Sequence, residues 1–200
     1  MGVVSGIKKL LSGVVLGILA YASGFLIFAL LLYERVKNAY QSLGLPIDFS
    51  ALRNQLGDSV LPNAARIVGW MWESAHMVVF NFSANAAFIG EVNETINFTQ
   101  TPIWNNTYFI IPPLVLIVFG FLHNRIHSDT SSYAGLKTGI TLSIGYAAVF
   151  GVVMYLTMWH IFLGLATVQL TPEWGQGFIA SLVYPMVFAT LGGYIGSTTG

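Results

Sequence analysis

Four long apolar runs, separated by polar stretches, set the pattern of this chain. Leu10 to Tyr33 runs 24 residues without a charge, enough for a helix to cross a bilayer core of roughly 30 Å. Tyr108 opens a second run, with Pro112 and Pro113 near its start, where missing amides are tolerated. To span, it continues through His123, Arg125 and Ile126, whose polar side chains can snorkel at the far face. A third run begins at Gly139 and a fourth at Gly177. The pattern predicts an all-α integral membrane protein, a four-transmembrane-helix bundle in one domain, 1–200, with spans at about 10–33, 108–126, 139–163 and 177–196.

The long polar insert, residues 34–107, carries two further helical signals. Phe49 to Leu56 reads as a short helix ended by Gly57 and Asp58. Residues 62–80 read as an amphipathic helix with Arg66 and Glu73 two turns apart on one side. As a fifth span it would put Glu73, Ser74 and His76 into hydrocarbon, at about 2.5–3.5 kcal/mol for the acid alone at mid-depth. The expectation is therefore an interfacial or partly buried helix, anchored by Trp70, Trp72, Met77 and Phe80. The segment from Thr171 to Gly175 reads as a tight turn before the last span.

Composition agrees with a membrane class: 55% of residues are hydrophobic and 8% charged, against about 25% charged in a soluble domain. Eight Lys and Arg balance eight Asp and Glu, so nothing points to nucleic acid or to acidic substrates. The chain has no Cys, which excludes disulfides and thiolate chemistry.

Four acceptor triplets crowd into the insert: Asn81-Phe82-Ser83, Asn93-Glu94-Thr95, Asn97-Phe98-Thr99 and Asn105-Asn106-Thr107. Such triplets carry sugar only outside the cell, so Asn81, Asn93, Asn97 and Asn105 place the insert there. Lys8, Lys9, Arg125 and Lys137 then fall inside, as the positive-inside tendency asks, and both termini are cytoplasmic. All five Trp come near the outer interface, where amphipathic rings prefer to sit. The five-span alternative strands Lys8 and Lys9 on the wrong side.

Chemical signals are thin. Nucleophile-elbow, phosphate-loop and His-Glu-x-x-His patterns are missing, so no catalytic residue, metal or cofactor is assigned. His123 and His127 stand at i, i+4, but no third strong ligand follows in a fixed spacing. Glu73 and His76, joined by His160 if the helix folds back on the bundle, make one speculative polar site. Mechanical signals are plentiful. Gly139, Ser143, Ala147 and Gly151 recur every four residues, as do Gly177, Ser181, Pro185, Ala189 and Gly193, and helix one adds Gly13 with Gly17 and Ala20 with Gly24. Small residues at this spacing form grooves that admit another helix. Pro185 frees the Ser181 carbonyl and kinks its helix.

With the segments Val68–Val79, Tyr108–Leu116 and Ser181–Gly193 in view, the chain resembles a family of small membrane proteins of halophilic archaea. That family has a first span, a Gly-Trp segment, a Pro-Pro span, a Gly-rich span and a last span with a Tyr-Pro pair. The resemblance covers most of the length and implies an archaeal plasma membrane, where N-glycosylation is available, with no activity or functional residue to transfer. The expected function is a non-enzymatic membrane subunit or scaffold that packs against copies of itself or other membrane subunits through its grooves, with the lipid bilayer as its medium. The alternative is a small oligomeric channel or transporter.

Overall fold

The computed structural model of the chain describes residues 2–39, 61–87, 90–128, 130–131, 133–162 and 164–199. The short helix expected over Phe49 to Leu56 lies outside them. Among the described residues five α-helices run in order: α1 (Gly2–Ala39), α2 (Ala64–Ser74), α3 (Ile111–His127), α4 (Ala134–Thr157) and α5 (Trp174–Thr198). With the 3-10 turn that precedes α3, four of these helical stretches are long and apolar enough to cross a membrane. Helix α2, at 11 residues, is not among them; it would reach only about 17 Å.

The expectation of an all-α fold is corrected by a four-stranded antiparallel sheet. Strands β1 (Phe80–Ala86), β2 (Gly90–Ile96), β3 (Trp159–Phe162) and β4 (Ala166–Pro172) lie in the order β2-β1-β4-β3. The sheet takes its strands from both ends of what was expected to be helix or loop. The third span stops at Thr157 rather than near 163, and the helix expected over 62–80 stops at Ser74. The reason is a switch to period-two patterning, apolar at Phe80, Phe82 and Ala84 and again at Val168, Leu170 and Pro172. In register, Phe80 faces Pro172 and Phe82 faces Leu170, while Asn81 faces Thr171 and Ser83 faces Gln169. Across β1 and β4 one face is therefore apolar and the other polar. Gly164, at φ 72°, makes the β3–β4 turn in a region that side chains rarely adopt.

The chain forms two compact units, one of Met1–Ile27, Phe109–Val152 and Phe178–Gly200, the other of Phe28–Tyr108 and Val153–Gly177. The first is a helical bundle closed by small residues. A methyl at Gly17 would strike the Leu142 carbonyl, one at Gly145 the Val14 carbonyl, one at Gly120 the Ala189 carbonyl and one at Gly192 the Ile117 carbonyl. Gly139 lies against Thr190 and Met186, Gly193 against Thr138, and Ser143 Oγ donates to the Leu182 carbonyl at 3.4 Å. Backbones approach this closely only where side chains are absent. Tyr21, Tyr146 and Phe150 fill one layer, with ring centroids 5.1 and 5.8 Å from Tyr21. Ala147 is half-buried, and Gly151 has open space where its side chain would be.

The second unit packs α2 and the apolar sheet face around aromatic rings. Trp70 meets Phe98 at 5.4 Å, Phe80 at 6.2 Å and Trp159 at 6.4 Å, and Trp72 meets Phe28 at 5.3 Å. Trp70, Trp72 and Phe80 were expected as interfacial anchors; all three are completely buried. Burial of large rings, each removing about 150–250 Å² from solvent, dominates such a core. Of the expected anchors only Met77 is exposed. Gly177 is buried in this unit near the start of α5, where the Glu173 carboxylate accepts from the amides of Gly175 and Gln176. That cap satisfies amides that the helix leaves open.

Candidate functional site

Helix α2 starts cleanly because Asn63 Oδ1 accepts from the Arg66 amide at 2.8 Å. It ends on a Schellman arrangement: the Val78 amide donates to the Glu73 carbonyl and the Met77 amide to the Ser74 carbonyl. Met77 takes the left-handed conformation, φ 66°, that this cap requires. Every residue from Ile67 to Ser74 is buried, so Glu73 has no route to solvent.

What meets Glu73 is the C-terminal turn of α4. Thr157 Oγ1 donates to Glu73 Oε1 at 2.8 Å, and it also lies 3.0 Å from the Met154 carbonyl. The Trp70 indole donates to the Thr157 carbonyl at 2.8 Å. A Cβ at Gly69 would come 2.6 Å from the Thr157 methyl. Three consecutive features of α2, a glycine, an indole and a carboxyl, thus hold one threonine by its methyl, carbonyl and hydroxyl. Glu73 Oε2 has no hydrogen-bond partner among the described residues. Burial raises the carboxyl to about 8, against the opposing pull of the Thr157 bond, so it is neutral at pH 7.

His76 is buried one turn on, its Nδ1 2.9 Å from the Trp72 carbonyl. That geometry makes Nδ1 the protonated nitrogen. Burial lowers the imidazole to about 4, partly offset by the same bond. The sheet separates His160 from this pair. Trp159 and Ile161 are buried, so alternation turns His160 to the polar face opposite Gln169, where it is exposed. Of the grouping Glu73, His76 and His160 expected from sequence, the structure keeps Glu73 and His76 in the core, adds Thr157 to Glu73 and leaves His160 on the exposed face. The contact of Thr157 with Glu73 is not legible in the sequence because 84 residues separate them. The available signal was a polar residue closing an apolar helix opposite a glycine and two Trp.

The acceptor residues occupy two settings. Asn81 and Asn93 are exposed on the polar sheet face, where Ser83 and Asn93 pair directly across β1 and β2. Asn93 Nδ2 donates to Glu91 Oε1 at 3.0 Å. Asn97 and Asn105 sit in turns, each Oδ1 accepting from the amide and hydroxyl of the Thr two residues on, at 2.8 to 3.0 Å. Such Asx turns fix the side chain against its own backbone. Asn105 is exposed and Asn97 half-buried.

The chain belongs to a family of unknown function (DUF7978), whose model matches residues 3–200. No curated protein and no solved structure matches it significantly.

Proposed function

We propose that this member of the family is a non-enzymatic integral membrane subunit or scaffold of an archaeal plasma membrane. It crosses the bilayer four times with both termini cytoplasmic, and presents the sheet, glycosylated at its acceptor residues, outside. The carrying observation is the allocation of polar groups. Glu73 and His76 are sealed in the core and spent on holding Thr157 and the Trp72 carbonyl, whereas Asn81, Asn93 and His160 lie on an open polar face. The sheet also supports the four-span topology. Its strands come from 80–96 and from 159–172, which an out-and-back pair of spans, α3 and α4, leaves on one side of the bilayer.

Most of the small-residue stripe is engaged inside the bundle, through Gly139, Ser143, Ala189 and Gly193. At Gly151 on α4 the stripe has open space before it, next to half-buried Ala147, and this short groove is where a copy of the chain or another membrane subunit packs. Gentle extraction from native membranes through a C-terminal tag, followed by native mass spectrometry, tests the reading. The expected result is a stoichiometric complex that Gly151→Leu dissociates while the variant keeps its own thermal transition. A monomer in both proteins overturns it.

A further inference from the structure

The first unit contains a cavity of about 320 Å³ near the start of α1, walled by α1, α3 and α4. Its polar wall is basic: Lys9, His123, His127 and Lys137 line it, together with Asn124 and Thr138. None of the described residues lining it is acidic. The charge of the unit is equally one-sided. Lys8, Lys9, Arg125 and Lys137 supply four cations, and the only Asp or Glu in its sequence is Asp129, outside the described residues.

The wall is also organised. Buried His123 places Nδ1 3.1 Å from Thr138 Oγ1 and Nε2 3.3 Å from the Lys9 carbonyl. His127 Nε2 is 2.6 Å from Ser12 Oγ, and the two imidazoles stand edge to face with centroids 4.8 Å apart. Lys137 Nζ donates to Ser131 Oγ at 3.2 Å. Among the described residues no three His, Asp or Glu side chains converge, so the donor set is short of a metal site and suited to an anion. Two lysines that line one cavity with two histidines and an asparagine suit a phosphate, which takes several charge-assisted hydrogen bonds at once.

We propose that this cavity binds a phosphate group, carried either by an anionic phospholipid headgroup or by a soluble phosphate. Basic pockets between membrane helices take lipid headgroups in this way. The inference does not depend on the subunit reading, since it concerns a different unit and needs no partner.

The purified full chain, in nanodiscs of phosphatidylcholine alone or with phosphatidylglycerol, and in detergent with inorganic phosphate, distinguishes the sources. Bound phosphatidylglycerol is counted by native mass spectrometry and phosphate by 31P NMR. The expected result is saturable binding of one phosphate-bearing ligand that Lys9→Gln with Lys137→Gln weakens by about tenfold or more. Arg125→Gln, which removes a charge of the same unit outside the cavity, leaves that binding unchanged. Phosphatidylglycerol retained against excess inorganic phosphate assigns the lipid; displacement by inorganic phosphate assigns the soluble anion. Binding of neither probe, or equal loss in the Arg125 variant, overturns the proposal. Lys9→Arg with Lys137→Arg keeps the charges and separates a lost site from a misfolded chain.

Discussion

A neutral carboxyl in an aromatic core gives Glu73 a measurable signature. Its folded value, about 8, lies above the ordinary 4.5, so the stability tied to its proton is complete below 4.5 and is lost as pH rises through 8. His76 runs the other way: its folded value, about 4, lies below the ordinary 6.5, so its contribution is present above 6.5 and lost as pH falls through 4. Between about 4.5 and 6.5 the two slopes, each about 1.4 kcal/mol per pH unit, cancel. Above 6.5 only Glu73 acts. Thermal unfolding in detergent is therefore expected to show a midpoint that declines from pH 6.5 to 8, and Glu73→Gln, which keeps an acceptor for Thr157, is expected to remove that decline. An identical slope in both proteins would contradict the buried acid. A second expectation concerns Met77, a non-glycine residue at a left-handed cap. Met77→Gly relieves a conformation costing roughly 1 kcal/mol, and a raised midpoint in the same assay is the result that checks it. At this scale sequence alone showed that Glu73 and His76 were unusual. It did not show Thr157, because contact across 84 residues leaves no local mark.

Among the elements, helices were the legible part. Apolar runs longer than 18 residues allow few alternatives, and α1, α3, α4 and α5 stand where those runs lie. The sheet was obscured because its strands border the helices without a polar break. Trp159 to Phe162 reads as the tail of an apolar span until alternation is checked, and Phe80 reads as the last anchor of α2. Trp70 and Trp72 are buried because an indole serves an interface or a core equally well, and the rings of Phe80, Phe98 and Phe28 supply that core. Small-residue spacing marked the right helices but not the contacts. Gly120, Gly145 and Gly192 make close approaches and lie off the four-residue ladder. Their role sets a contrast. Gly17→Ala, which drives a methyl into the Leu142 carbonyl, is expected to cost about 1–3 kcal/mol. Gly151→Ala, with open space before it, is expected to change stability by no more than about 0.5 kcal/mol. Denaturation midpoints of the two variants measure this, and equal losses would contradict the packing described.

At the scale of the whole molecule, the proposed membrane subunit requires sidedness: four long apolar helices in the bilayer, the acceptor residues outside and the C-terminus inside. The exposed apolar side chains of α1, among them Leu11, Leu26 and Leu30, suit lipid contact, whereas the exposed sheet face is polar. Because the chain has no Cys, single cysteines can be placed without background. Gln169→Cys sits on the exposed sheet face and Thr199→Cys just beyond α5. The most direct measurement is labelling of each in intact cells with a membrane-impermeant maleimide. The proposed topology predicts that Gln169→Cys reacts in intact cells and Thr199→Cys only after the membrane is opened. Reaction of both in intact cells, or the reverse order, would contradict it.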